Sequence, residues 1–231
     1  MFERNHYKYP SSPEAIAALI DREMRNVPVS NALNLRAVRR KYSQELREAE
    51  AGFVLDVARC LIQQYQRRWV AYELISCHEK AFALMGRELL EELGQGIDSW
   101  YTVDSFARTL EGPVWLEGQV SDSIIYEWAC SVDLWWRRAA LVSTVAFNVR
   151  SHGGKGDASR TLAVCRLLVD DHEDMVVKAM SWALRELVIH DPTAVKDFIN
   201  EHEKRLSPRI KREVNNKLRS GLKYPKQHKD Q

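Results

Sequence analysis

The chain has 231 residues, 45% hydrophobic and 29% charged, long enough to bury a core without disulfides or a metal. Seven Trp, eight Tyr and six Phe exclude disorder over most of its length, and ten Gly and seven Pro exclude collagen-like and low-complexity classes. The net charge of +2 conceals an uneven distribution: from Lys204 onward ten basic residues stand against two acids, Glu213 and Asp230. Such a basic end points to an anionic partner, nucleic acid first, with a solvated tail as the plainer reading.

No run of residues approaches the roughly 20 apolar positions that span a bilayer, and the opening Met1–His6 lacks the apolar stretch of a secretory signal. Cys60, Cys77, Cys130 and Cys165 are widely spaced and form no Cys-x-x-Cys pair. They read as reduced thiols of a cytoplasmic protein. Cys77-His78 has no second ligand pair at metal-binding spacing, so neither a metal nor a cofactor is expected.

In chain order, helix signals dominate and hairpin signals are absent. Ser11-Ser12-Pro13-Glu14 reads as a capped helix start, followed by Ile16, Leu19, Ile20 and Met24 at helical spacing. Asn34 is expected to cap a basic helix through Arg36, Arg39, Arg40, Lys41 and Arg47. Phe53 to Ile62 keeps a helical period, and Met85 to Leu93 is another striped segment stopped at Gly94-Gln95-Gly96. Further helices are predicted over 98–110, 121–132, 134–149, 157–170, 173–189, 192–203 and 206–221, with Gly153-Gly154-Lys155-Gly156 as the clearest loop and Asp191-Pro192 as a capped start. So many short helices suggest stacked pairs.

A faint repeat agrees: Arg68–Ala71, Arg138–Leu141 and Lys178–Ser181 each set a basic residue before small and apolar ones. The second and third begin 40 positions apart, the spacing of HEAT-type helix pairs. The expected fold is therefore all-α, a curved α-solenoid of HEAT-like repeats. It comprises one domain over residues 1–221 and a basic C-terminal tail over 222–231. In such a stack functional side chains belong on the concave face.

Three segments carry the candidate chemistry. In Ser99-Trp100-Tyr101-Thr102-Val103-Asp104 a helix places Trp100 and Asp104 one turn apart on one face, an indole beside a carboxylate that suits a cationic ligand. Asp133-Leu134-Trp135-Trp136-Arg137-Arg138-Ala139-Ala140 offers arginine forks that match phosphate oxygens. In Val177–Glu186, Trp182 and Arg185 are three apart and so neighbours on a helix.

Taken together, these segments make the chain resemble the AlkD-like DNA alkylation-repair glycosylases, a family built from HEAT-like repeats. The family pattern S-W-x-x-V-D is met by Ser99 to Asp104, W-x-x-R-A-A by Trp135 to Ala140, and K-A-x-x-W-x-L-R-E by Lys178 to Glu186, in the family's order. The resemblance covers about residues 30–221. Two departures stand out. Tyr101 occupies a position where relatives often carry Asp or another aromatic, and Leu33 to Arg40 lacks the Gly and Pro of the family's N-terminal loop.

The resemblance implies excision of purines alkylated at N3 or N7 from double-stranded DNA by a monomer. The reaction is monofunctional hydrolysis of the N-glycosidic bond, leaving an abasic site. It assigns Asp104, Trp100 and Trp182 to catalysis and Arg138, Arg185 and Arg40 to DNA binding. Two other readings compete: a solenoid that binds damaged or branched DNA without cleaving it, and a protein-binding HEAT scaffold. Convergence of Asp104 with the two Trp would set the first reading apart from the scaffold.

Overall fold

In the computed structural model residues 12–150 and 153–225 are described, and among them every regular element is helical. The sequence explains where the helices start. Ser12 accepts a hydrogen bond from the Ala15 amide and is followed by Pro13, opening α1 (Pro13–Arg25). The next cap is Asn31 and not the expected Asn34: the Asn31 side chain accepts from the Asn34 amide at 2.9 Å, so α2 runs from Ala32 to Glu45. Both residues are capable caps, and the competition is settled because Asn34 turns its own amide toward the Val29 carbonyl.

Contacts group the chain into two compact units, one of residues 1–85 and 91–93, the other of residues 86–90 and 94–231. In the first, α1 and α2 are joined by α3 (Ala51–Gln63), α4 (Arg68–Ser76) and the single turn α5 (Glu79–Phe82). Ile16, Ile20 and Met24 of α1 meet the α3 stripe Val54, Val57, Ala58 and Leu61, and α3 packs on Val70, Leu74 and Ile75 of α4. Each of the larger side chains contributes about 2 kcal/mol by leaving water. Asp21 is buried among them, held by Arg25 and, at 2.9 Å, by Arg67. α6 (Arg87–Gly94) carries the division between the units.

The second unit opens with α7 (Trp100–Phe106), which runs through a π turn (Ala107–Glu111) into α8 (Gly112–Leu116). The sequence predicts a stop near 110, and Gly112-Pro113 follows two residues on as a physical obstacle to a continuing α-helix. Proline lacks the amide that an α-helix needs, and its ring crowds the carbonyl of the preceding turn. Here the backbone widens, with the Gly112 amide donating to the Ala107 carbonyl, and the helix continues. There follow α9 (Asp122–Ala129), α10 (Leu134–Ser143), α11 (Val145–Asn148), α12 (Ala158–Leu167), α13 (Asp174–Leu187), α14 (Pro192–Glu201) and α15 (Pro208–Ser220).

The predicted helix 134–149 is thus two. The Ser143 and Thr144 hydroxyls donate to the Ala140 and Leu141 carbonyls at 2.8 and 2.7 Å, and this back-bonding bends the chain at Thr144. At the centre of the unit α10 packs on α7, α9 and α13, and α13 packs on α15. Its core draws Val103 and Phe106 from α7, Ala139 to Val142 from α10, and Val176, Met180, Ala183 and Leu184 from α13.

Candidate active site

The site grows from the start of α7. Ser99 caps the helix by accepting from the Thr102 amide, while the Thr102 hydroxyl accepts in return from the Ser99 amide at 3.2 Å. This reciprocal box fixes the first turn, on which Trp100 is 56% and Tyr101 53% exposed. Their rings meet edge to face at 6.1 Å. Two large aromatics left in water at a rigid helix start present stacking surface toward solvent.

One turn further on, Asp104 points into the packing of α7 against α10. Arg138 of α10 grips it with two parallel bonds: Nε donates to one carboxylate oxygen and Nη2 to the other, both at 2.9 Å. The third guanidinium nitrogen, Nη1, donates to the Met175 carbonyl at the start of α13. The side chain of Arg138 is only 6% exposed and that of Asp104 18%. Burial raises the Asp104 carboxyl above its usual range, and the hydrogen bonds and charge of Arg138 and the charge of Arg108 offset only part of that rise.

This geometry revises the role expected of Arg138. A phosphate clamp needs a fork turned outward, whereas here every guanidinium nitrogen is already committed inside the protein. Arg138 instead fixes the rotamer of Asp104 and ties α7, α10 and α13 together. The sequence motif identifies the arginine but not its direction, because the i to i+4 face of α10 that carries Arg138 is the face that α7 covers.

Trp182, on α13, is half-buried, and its indole Nε1 donates to Glu186 at 3.0 Å, one turn along the same helix. Over its ring lies the guanidinium carbon of Arg108, 5.4 Å from the centroid. Arg108, from the π turn, is the residue that the sequence reading missed. Trp100, Asp104 and Arg108 follow one another at i, i+4 and i+8, so continuing the stripe by one turn would have found it. Asp104 and Trp182 are therefore linked through Arg108, which acts on the charge of one and the face of the other.

Arg185 is half-buried, with its Nε 3.4 Å from the Ser181 hydroxyl. Ser181 in turn donates to Glu213 of α15 at 2.6 Å. Burial works against ionisation of Glu213, yet hydrogen bonds from Ser181 and Lys223, the Lys223 charge and a hydrogen bond from Tyr224 hold its carboxyl below the usual range. Three basic residues of the C-terminal segment are paired with carboxylates. Arg205 pairs with Asp170, Arg209 with Asp174 at 3.2 Å and Lys223 with Glu213 at 3.3 Å. Lys226 and Lys229 lie outside the described residues, as does Ser11. Arg40 is exposed on α2, in the first unit. Among the described residues no three His, Cys, Asp or Glu side chains gather as a metal site, and no helix is long and apolar enough to cross a membrane.

Among the described residues the protein is all-helical, with a carboxylate on α7 gripped by an arginine fork from α10, Trp100 one turn before it on the same helix, and Trp182 of α13 linked to it through Arg108. The chain belongs to the DNA alkylation repair enzyme family, whose model matches residues 14–218. Comparison with curated proteins finds no match. The family makes DNA the partner and alkylation repair the setting.

Proposed function

We propose that the protein is a DNA glycosylase that hydrolyses the N-glycosidic bond of purines alkylated at N3 or N7 in duplex DNA, acting as a monomer built as a curved HEAT-like solenoid. The observation that carries this reading is the half-buried Asp104 carboxylate locked by Arg138 one turn from an exposed Trp100. An alkylated purine of this kind already bears a positive charge, so it leaves readily and needs no strong general acid. As the bond breaks, the electron pair goes to the base, which departs neutral, and the deoxyribose becomes an oxocarbenium-like cation. A fixed carboxylate stabilises that cation, and it accepts a proton from the water that attacks the anomeric carbon. Arg138 has the task of keeping this carboxylate in place, so its charge need not be rearranged as the cation forms. The exposed Trp100 and the face of Trp182 supply aromatic surface to the sugar and the lesion. Arg185 and Arg40 are assigned to the DNA backbone.

Release of 7-methylguanine and 3-methyladenine from methylated duplex DNA tests the reading, with wild type and Asp104→Asn side by side. The variant should release 7-methylguanine about 10²-fold more slowly, the scale of losing one preorganised electrostatic group. The effect should be smaller for 3-methyladenine, whose glycosidic bond is weaker. A folded Asp104→Asn protein that works as fast as wild type would remove Asp104 from catalysis. Wild type that binds the duplex and releases no base would leave a DNA-binding protein without glycosylase activity.

A further inference from the structure

In the first unit, α1 carries Ala18, Asp21, Arg22 and Arg25 at i, i+3, i+4 and i+7, on one face that ends at the C-cap Asn26. Beside this face the chain leaves α3 through Tyr65 and Gln66. Gln66 is left-handed, with a φ of 57°, a conformation that costs a residue with a side chain about 1 kcal/mol. The turn is closed by the Arg67 amide, which donates to the Leu61 carbonyl at 2.9 Å. It returns the chain toward α1, where Arg67 Nε donates to Asp21 at 2.9 Å. Strain of this kind persists where the surrounding structure holds it, here through the grip of Arg67 on Asp21. Tyr65 and the α1 residues Ala18, Asp21, Arg22, Arg25 and Asn26 line one cavity of about 370 Å³. Ala18 has the smallest side chain on the stripe and leaves that space open.

The charge of the cavity is unbalanced. Asp21 takes one bond from Arg25 Nη2 and one from Arg67 Nε, so the other nitrogens of both forks have no partner among the described residues. Arg22 acts on Glu23 through charge, but Glu23 is bonded to Lys41 and Tyr42 of α2 at 2.6 and 2.9 Å. Three guanidiniums against the single Asp21 carboxylate leave two positive charges. The carbonyl end of α1 opposes them with about half a charge, too little to reverse the sign. A carboxylate ligand is flat and takes one fork. Donors converging from α1 and from the α3–α4 turn suit a tetrahedral oxyanion, whose oxygens accept from several directions.

We propose that this cavity is a phosphate-binding site, with Arg22, Arg25 and Arg67 as charged donors, the Tyr65 hydroxyl and Asn26 amide as neutral ones, and Asp21 as the buried group that holds two of the forks in place. The ligand is a phosphate group, carried by the DNA backbone or by a small phosphate ester. The site stands independently of the glycosylase reading.

The test has two arms, both on the full chain. Inorganic phosphate is titrated and followed in NMR spectra of the arginine side-chain N–H groups, and binding of an undamaged duplex is measured against salt. Phosphate in the millimolar range should move the signals of Arg22, Arg25 and Arg67. Arg22→Gln leaves the grip on Asp21 intact and should weaken binding about 3- to 10-fold, as for one exposed charged contact. Ala18→Leu keeps every charge, places a good helix former at an exposed position and fills the cavity, so it should weaken binding at least as much. If the DNA backbone is the source, duplex binding falls in both variants and the salt slope of Arg22→Gln flattens by about one unit. If a small ester is the source, phosphate binding falls in both while duplex binding stays at the wild-type level. Loss in both variants with either ligand supports the site. Loss in only one variant, which would reduce the effect to general charge or to bulk, overturns it, and so does loss in neither.

Discussion

Replacing Arg138 by Met removes the partner of Asp104 while keeping a long side chain in the space between α7, α10 and α13. Two bonds of 2.9 Å to the carboxylate and one to the Met175 carbonyl disappear together. Removing one member of a buried ion pair costs about 3–5 kcal/mol. Asp104 keeps 18% of its side-chain surface, so water relieves part of this and the expected loss at neutral pH is about 2–4 kcal/mol.

The loss should depend on pH in a definite direction. The Asp104 carboxyl is raised even in the intact pair, and without Arg138 burial raises it further, with Arg108 as the cation still acting on it. A neutral carboxyl needs no counter-ion, so the destabilisation should shrink as pH falls and grow as pH rises past the raised value. Base release should show the complementary profile, falling at the acid end because protonated Asp104 cannot stabilise a cation. Urea melts between pH 5 and 9, read with single-turnover release at the same pH values, check both. A difference from wild type below about 0.5 kcal/mol that does not vary with pH would refute the positioning role. Salt titration of DNA binding gives an independent check: the slope should stay unchanged in Arg138→Met and flatten by about one unit in Arg185→Ala, as for loss of one phosphate contact.

Glu111 is completely buried in the π turn, and burial pushes its carboxyl up to about 8, with the neighbouring Ser143 hydroxyl offsetting only part. The folded protein then keeps a proton that the unfolded chain releases near 4.5, so stability should fall as pH rises from about 4.5 to 8 and level off beyond. A shift of that size corresponds to at most about 5 kcal/mol. Glu111→Gln does not titrate, and in chemical denaturation its stability should be flatter across this window. An identical slope in both proteins would show that Glu111 ionises normally. A methyl group at Gly112 would stand 2.6 Å from the Ser143 carbonyl oxygen and 2.8 Å from Ala146 Cβ. Gly112→Ala should therefore cost about 1–3 kcal/mol by overpacking, and an unchanged melting temperature would contradict it.

The legible parts of the site were those governed by helical spacing. Trp100 and Asp104 share a face because they are one turn apart, and Trp182 and Arg185 are neighbours for the same reason. What spacing cannot give is which neighbouring helix covers a face. Arg138 looks, along the sequence, like a surface arginine on a tryptophan-rich helix, and only the arrival of α7 and the Met175 carbonyl turns it inward. The capping error at Asn34 is of another kind. Asn31 and Asn34 offer the same chemistry three residues apart, and the choice depends on the Val29 carbonyl that Asn34 bonds instead. Arg108 was within reach of periodicity but lay beyond the matched motif, in a stretch where Gly112-Pro113 signals the end of a helix.

The π turn has a consequence for how this helix tolerates changes in length. In an unbroken α-helix residues eleven apart project within about 20° of each other, since three turns take nearly eleven residues. Trp115 would then lie in line with Asp104. The wide turn takes up one additional residue, which sets everything after it back by about 100° of rotation relative to its sequence position. Trp115 accordingly leaves the line of Asp104 and is wholly buried, against Phe147 at 4.5 Å and with its Nε1 bonded to Asp122 at 2.7 Å. A one-residue deletion between Ala107 and Glu111 would leave Trp115 ten residues from Asp104, and regular winding over ten residues gives the angle that the wide turn now gives over eleven, so the two halves of the helix would stay in phase. The carboxylate would keep its place beside Arg138 and the indole its core. The loss of one residue, which elsewhere in a helix turns everything after it by about 100°, is at this point absorbed by the wide turn.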